Sequence, residues 1–297
     1  MFGEYIDSHN HMHALNWDEW ELLGTTGMRA AVLSCGNPHL YREVWDEAPG
    51  YDDIMRFWEG PVEMIRALEA QHFIQIRCAV GISSMTRVSD WENLLEEMPG
   101  FLEDESVVAL GEIGLDPTQY FSLTWPMEEQ TTCLEAQAEL AKKYDKPIIL
   151  HTPTPKKSKD FLGDVAVQAD VPPEQIRLHY MQKDLEIIRK TGFDEAKVAV
   201  DHTDATTVGH IHEHTRAMCA VSIGSALRPL QPAQVIEWVE RFGPDRIMLN
   251  SDHLGYRPID ILSVPKTLRA MRNAGLPEEA IRKVSFENAR KFYNLAL

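Results

Sequence analysis

Short apolar and β-branched runs recur along the chain, separated by longer segments whose apolar residues follow a helical spacing. The short runs predict eight strands, at Tyr5–His9, Arg29–Ser34, Ile74–Val80, Val107–Ile113, Pro147–His151, Lys197–His202, Met218–Ile223 and Arg246–Ser251. Helical patterns between them include Met127–Lys143, Pro172–Lys190 and Val264–Asn273. Strands that alternate with helices form parallel βαβ units, and eight such units close a barrel. The pattern therefore predicts a (β/α)₈ TIM barrel, in a single domain that spans residues 1–297.

The stretch between Ser34 and Ile74 is longer than a simple βα connection needs, at about 40 residues. It is rich in aromatic residues, namely Tyr41, Trp45, Tyr51, Phe57 and Trp58. An insertion at the carboxyl end of a strand could cover a substrate pocket. An additional helix on the outside of the barrel explains the same pattern equally well, so the sequence leaves both alternatives open.

The charge balance is strongly acidic, with 29 Lys and Arg against 46 Asp and Glu and a formal net charge of −17. Such a field repels polyanions, so DNA and anionic membrane surfaces are disfavoured as partners. Hydrophobic residues make up 44% of the chain, which excludes a disordered protein. A small-molecule substrate is the expected partner, and assembly into a homo-oligomer is compatible with the composition.

The amino terminus and the cysteines predict the cellular location. Glu4 and Asp7 stand where a secretory signal would have a basic segment and then an apolar run. The four cysteines are scattered along the chain, which favours reduced thiols over a disulfide framework. We therefore expect a cytoplasmic protein.

Residue types that commonly bind metals lie at or just after the ends of several predicted strands. They are His9, His11, Glu112, His151, His202 and Asp252. The carboxyl ends of all strands in a parallel barrel meet at one face, so these residues are expected to converge. Residues i and i+2 of a strand point the same way, which directs His9 and His11 into one site. Imidazoles and carboxylates suit one or two divalent ions, with zinc expected and manganese or magnesium as alternatives.

Several sequence blocks resemble those of the TatD-related metal-dependent hydrolases, which belong to the amidohydrolase superfamily. The blocks are Asp7-Ser-His-Asn-His11, Ala109-Leu-Gly-Glu-Ile-Gly-Leu-Asp116, Pro147-Ile-Ile-Leu-His-Thr152, Val200-Asp-His202, Asn250-Ser-Asp252 and Glu287-Asn-Ala-Arg-Lys-Phe292. The Gly-Glu-Ile-Gly-Leu-Asp block is the most specific of them. Within the family, the chain most resembles the EboC-like branch.

The resemblance implies a role for each candidate ligand. His9, His11 and Asp252 would bind one metal, His151 and His202 would bind the other, and Glu112 would bridge the two. One departure is that the nuclease members have Glu-Thr-Asp near the last strand, where this chain has Asn250-Ser-Asp252. A second departure is Pro117 and Thr118, which follow the Gly-Leu-Asp segment in place of an aromatic stretch.

His179 competes with His202 for the sixth ligand position. A strand that ended at His179, added to the predicted Lys197–His202 strand, would give nine strands, whereas this kind of barrel closes at eight. Pro172 and Pro173 also stand where a helix would begin. We therefore place His179 on a helix and prefer His202.

These residues predict a hydrolase that cleaves an ester-type bond in a small molecule, either a carboxylic ester, a lactone or a phosphoester. Asp252 would carry the proton from the attacking water to the leaving group, and Glu112 would hold the two metals together. Arg228 and Lys156 follow predicted strands and could bind an anionic substrate group. Two alternatives remain: a metal-dependent deoxyribonuclease of the TatD type, and a non-catalytic metal-binding carrier protein.

Overall fold

The computed structural model describes residues 3–36, 49–85, 87–119, 125–153, 166–167, 169–224, 230–253 and 260–297. Eight parallel strands form a sheet in which each strand pairs with the next one along the chain. They are β1 Tyr5–Asn10, β2 Met28–Ser34, β3 Gln75–Val80, β4 Val107–Ile113, β5 Ile148–Leu150, β6 Val198–Val200, β7 Met218–Ser222 and β8 Ile247–Asn250. The sheet curves into a nearly closed barrel with helices between the strands, which confirms the predicted (β/α)₈ fold.

The described residues contain ten α-helices. They are α1 Trp17–Thr25, α2 Tyr51–His72, α3 Trp91–Leu102, α4 Met127–Lys143, α5 Ile176–Lys190, α6 Val208–His214, α7 Pro232–Phe242, α8 Ser263–Asn273, α9 Glu278–Arg282 and α10 Asn288–Phe292. Of these, α4, α5 and α8 occupy the three segments that the apolar spacing predicted. A π-helical turn, Lys283–Glu287, joins α9 to α10. Within the described ranges, no helix is long and apolar enough to cross a membrane.

Helix α2 accounts for part of the long aromatic segment that precedes β3. Trp58 is fully buried, and its indole Nε1–H donates to the carbonyl of Cys35, 3.1 Å away, just past the end of β2. Ile54 and Ile65 are buried on the same helix. This part of the segment is therefore the helix that connects β2 to β3, as in any βα unit, and the additional helix stays a prediction. The suggested pocket cover at Tyr41 and Trp45 lies outside the described residues.

The interior of the barrel is filled largely by small side chains. Inward-facing residues of successive strands include Ala30, Ala79, Ala109, Ala199 and Ala220, all buried. Larger side chains from the C-terminal segment 286–295 pack against them, and these are Phe286, Tyr293 and Leu295. The C-terminal helices thus supply part of the core that the small strand residues leave unfilled.

The seam between β1 and β8 is closed differently from the other strand boundaries. The two strands lie side by side within the described residues but share no ladder of backbone hydrogen bonds. The Ser8 hydroxyl donates to the Leu249 carbonyl (3.0 Å), and the Ser251 N–H donates to Asp7 Oδ1 (2.9 Å). The Tyr293 hydroxyl donates to the Ser8 carbonyl at 2.9 Å. Side chains therefore hold the first strand to the last.

Candidate metal centre

The structure brings together the six ligand-type side chains at the carboxyl end of the barrel. They are His9, His11, Glu112, His151, His202 and Asp252, and all but the half-buried His202 are buried. Donor atoms of His9, His11 and Glu112 lie within 4.8 Å of one another, and so do those of Glu112, His151 and His202. Glu112 belongs to both groups. The arrangement is thus two pairs of imidazoles, one from His9 and His11 and one from His151 and His202, that share the Glu112 carboxylate.

Glu112 reaches the centre because the backbone around it packs unusually closely. A Cβ atom at Gly36 would lie 2.9 Å from the backbone of Glu112, and one at Gly114 would lie 2.7 Å from the carbonyl oxygen of His151. Gly114 also has a φ of +145°, which side-chain-bearing residues rarely adopt. Burial would raise the pKa of Glu112, but the surrounding imidazoles lower it well below its usual value. Gly36 and Gly114 therefore allow the close packing that positions a carboxylate of lowered pKa.

His11 is fixed in one tautomer by the backbone. Its Nδ1 lies 3.3 Å from the carbonyl oxygen of Ser34, which can only accept a hydrogen bond. Nδ1 therefore carries the proton, and Nε2 presents its lone pair to the centre. That nitrogen lies 3.5 Å from Glu112 Oε2 and 3.6 Å from Asp252 Oδ1. An imidazole held by a carbonyl in this way is ready to bind a metal.

His202 and Asp252 both follow a strand with a left-handed backbone, with φ values of 53° and 47°. Residues that carry a Cβ seldom adopt this conformation, and such strain is concentrated at functional sites. The Arg177 guanidinium donates to the His202 carbonyl and so supports this turn. His202 Nε2 lies 3.4 Å from Glu112 Oε1, while its Nδ1 lies 3.6 Å from Asp252 Oδ2. The left-handed backbone at each residue directs its side chain across the mouth of the barrel.

Asp116 is a site residue for which the sequence analysis assigned no role. His151 Nδ1 lies 2.9 Å from Glu112 Oε1, and on the other side of the ring Nε2 lies 3.1 Å from Asp116 Oδ2. Asp116 thus orients the imidazole, as carboxylates commonly do for metal-binding histidines. Its position at the end of the Gly-Glu-Ile-Gly-Leu-Asp block was the available signal.

Asp201 is the second residue that the sequence analysis missed. It is fully buried, and its Oδ2 lies 3.2 Å from His9 Nε2 and 3.4 Å from His202 Nδ1. The sequence signal was its place beside His202, but alternation along a strand would direct adjacent side chains to opposite faces. The left-handed turn at His202 breaks that alternation, so both side chains face the centre.

The donor set fits a divalent metal. Both ring nitrogens of His9 and Oδ2 of Asp201 are buried without a hydrogen bond to any described residue, although the closest pair of these atoms is 3.2 Å apart. Burial by itself would lower the pKa of His151, yet Asp116 and Glu112 raise it to about 10. The buried carboxylates thus favour positive charge at this position, whether a proton or a metal ion provides it.

Three other predicted positions have different outcomes. His179 lies on α5 and belongs to neither donor group, and its ring packs against Tyr180. Arg228 and Lys156 lie outside the described residues. The part of the site that the structure describes therefore contains the proposed ligands but not the proposed substrate-binding residues.

Comparisons with known proteins agree with this geometry. An uncharacterized metal-dependent hydrolase from Methanocaldococcus jannaschii is 27% identical, over 98% of this chain and all of the relative. The crystal structure of a TatD-like protein from Archaeoglobus fulgidus is 26% identical with a TM-score of 0.67, and the match covers 98% of this chain and all of that chain. The phosphotriesterase homology protein of Escherichia coli shares the fold, at 15% identity and a TM-score of 0.62 over 98% of both chains.

The model of one protein family matches almost the whole sequence. That family is described as TatD related DNase, and its model matches residues 6–294, a range that begins within β1 and includes the other seven strands and all six converging side chains. The chain therefore belongs to the TatD related DNase family and is a metal-dependent hydrolase.

Proposed function

We propose that this protein hydrolyses an ester-type bond in a small molecule, with two divalent ions, expected to be zinc, bound at the barrel mouth. The observation that carries the proposal is the sharing of Glu112 between two groups of imidazoles. A carboxylate that faces both groups suits a bridging ligand. His9, His11 and Asp252 would hold one ion, and His151 and His202 would hold the other.

The protein groups around the ions would have different roles in the reaction. When bound, two such ions would lower the pKa of water and polarise the oxygen of the bond under attack. Asp252 would accept the proton of the attacking water and pass it to the leaving group, and burial raises the pKa of this carboxyl, which favours proton acceptance. Asp116 and the Ser34 carbonyl would hold the rings of His151 and His11 in place.

Charge supports a small substrate over a polynucleotide. A nuclease gains affinity from many phosphate contacts, and a chain with a net charge of −17 is poorly suited to supply them. Arg228 and Lys156 remain proposed contacts for a single anionic group on the substrate. The EboC-like branch and a cytoplasmic location likewise remain predictions.

A TatD-type deoxyribonuclease is the second candidate, and the family description itself favours it. The third hypothesis, a non-catalytic metal carrier, is set aside because the chain is a metal-dependent hydrolase. The two remaining candidates differ in the expected effect of salt. Counterion release makes DNA cleavage fall steeply as salt rises, whereas hydrolysis of a compact substrate responds weakly.

The deciding experiment compares metal-loaded protein on single-stranded DNA and on a panel of carboxylic esters, lactones and phosphodiesters, at two salt concentrations. We expect at least one small substrate to be cleaved faster than DNA, with little salt dependence. Asp252→Asn should abolish that activity, and this variant also controls for contaminating nucleases. Faster degradation of DNA than of every small substrate, lost in Asp252→Asn, would replace the proposal with the nuclease.

A further inference from the structure

Among the described residues, hydrogen bonds hold the Asp201 carboxylate at the centre of the site through one of its two oxygens. Oδ1 accepts hydrogen bonds from the Asn250 amide (2.8 Å) and from the Ser222 hydroxyl (3.2 Å). Oδ2 is buried and has no hydrogen-bond partner among the described residues. A buried carboxylate oxygen without a partner is costly, and this one points between two imidazoles. The two donors therefore fix the carboxylate and leave Oδ2 directed into the site.

The imidazole atom nearest to Oδ2 also lacks a hydrogen-bond partner among the described residues. His9 Nε2 makes no hydrogen bond to the described residues, and Asp201 Oδ2 lies 3.2 Å from it. The carboxylates of Glu112 and Asp252 are both farther from this nitrogen, at 3.8 Å. Two donors about 2.1 Å from one ion, at angles of about 90–110°, are roughly 3.0–3.4 Å apart. The pair of His9 and Asp201 has the separation expected of neighbouring ligands.

The contact with Asp201 needs a hydrogen-bond donor at position 250. A carboxylate at that position could not donate to Asp201 and would repel it, whereas the Asn250 amide donates at 2.8 Å. The Asn250 amide therefore stabilises a buried carboxylate at Asp201, and this hydrogen bond joins the end of β8 to the residue just past β6.

We propose that Asp201 is a metal ligand through Oδ2, on the side of the site formed by His9 and His11. It would be a seventh donor beside the six side chains predicted from the sequence, and Asn250 and Ser222 would fix its orientation. The inference rests on the proposed metal site, but it does not depend on which substrate the enzyme cleaves. The competing role is orientation of His202, because Oδ2 also lies 3.4 Å from His202 Nδ1.

The test compares the wild type with Asp201→Asn and a matched control, Asp194→Asn. Asp194 is exposed, and its Oδ1 accepts hydrogen bonds from the Ala196 N–H (3.0 Å) and from the Arg216 guanidinium (2.6 Å). Each protein is depleted of metal, titrated with Co²⁺, and followed by calorimetry and visible absorption. We expect Asp201→Asn to weaken one of two binding steps by more than the roughly 10–100-fold typical of a lost orienting partner. The Co²⁺ spectrum should change as well, while Asp194→Asn matches the wild type.

Two further readouts keep the inference falsifiable. Asn250→Ala removes one donor to Asp201 Oδ1, so the same binding step should weaken by a smaller factor, even if Asp201→Asn fails to fold. An unchanged Co²⁺ spectrum, with affinity weakened by no more than the roughly 10–100-fold of a lost orienting partner, in a folded Asp201→Asn would overturn the ligand role and assign Asp201 to orientation of His202. A wild type that binds no ion would overturn this inference and the proposed metal site together. A wild type that binds ions but cleaves no ester would overturn only the proposed substrate class.

Discussion

The two halves of the metal centre are built on different kinds of scaffold. Glu112 lies near the end of β4, and His151 and His202 follow β5 and β6. Consecutive parallel ladders join these three strands, in which Gly111 pairs with Ile149 and Ile149 pairs with Ala199. We call Glu112, His151 and His202 the ladder half. Backbone hydrogen bonds between the strands set their spacing, with one register shift between Gly111 and Ile113, so no single side chain is responsible for it.

The seam half consists of His9, His11 and Asp252, which flank the boundary between β1 and β8. Among the described residues no ladder joins these two strands. The side chains of Asp7 and Ser8 join them instead, and the Tyr293 hydroxyl donates to the Ser8 carbonyl of β1. Two backbone hydrogen bonds form at the ends of the strands, from the Asp252 N–H to the His9 carbonyl and from the His11 N–H to the His253 carbonyl. The position of these candidate ligands therefore depends on a few individual contacts, so the seam half should be the more sensitive to substitution outside the site.

The largest effect is expected from Glu112→Gln, because the Glu112 carboxylate faces the imidazoles of both halves. The amide keeps the size of the side chain but removes the negative charge that faces both imidazole groups. Metal content should fall from about two equivalents to well below one, and activity should be lost. Elemental analysis after mild purification measures the first effect, and circular dichroism checks the fold. Retention of one tightly bound ion would show that the halves bind independently.

The next largest effect is expected from His202→Ala, which should remove the ion of the ladder half. Metal content should drop to about one equivalent and turnover should be abolished. His179→Ala is the matched control, because His179 lies on α5 and belongs to neither donor group, and it should leave both quantities nearly intact. The reverse pattern would contradict the choice of His202 as the ligand.

Asp116→Asn should weaken the ladder half without removing a ligand. His151 would lose the carboxylate 3.1 Å from its Nε2, and loss of such a partner typically lowers metal affinity or activity by about 10–100-fold. Metal titration should show the change in one binding step, with the step of the seam half unchanged. Equal weakening of both steps would mean that the two halves do not behave separately.

The smallest of the four effects is expected from Tyr293→Phe, and it addresses the seam half. The substitution removes the hydroxyl that donates to the Ser8 carbonyl and leaves that buried oxygen without this partner. Such a loss costs about 1–3 kcal/mol of unfolding free energy, which urea denaturation measures. Metal affinity should fall a few-fold in the seam half only. Tyr144→Phe, at the end of α4, should change neither quantity, and a loss confined to the ladder half would refute the distinction.

The eight strands and the position of the six candidate ligands could be predicted from the sequence because both depend on local patterns. Apolar runs separated by helical segments predict parallel strands, and in such a barrel every strand end faces the same mouth. Observed strands differ from the predicted ones by at most two residues at either end, and α4 has the predicted bounds, Met127–Lys143. The convergence of six side chains follows from topology alone.

Only the tertiary structure could decide how those side chains are held. The left-handed turn at His202 brings Asp201 onto the same side, which strand alternation argues against. The contact between Asp201 and Asn250 joins residues 49 positions apart, and the Tyr293 bond to Ser8 joins residues 285 positions apart. Such pairs depend on how the barrel closes and where its C-terminal helices pack. No spacing along the chain encodes them, because they form only when distant strands are brought into register.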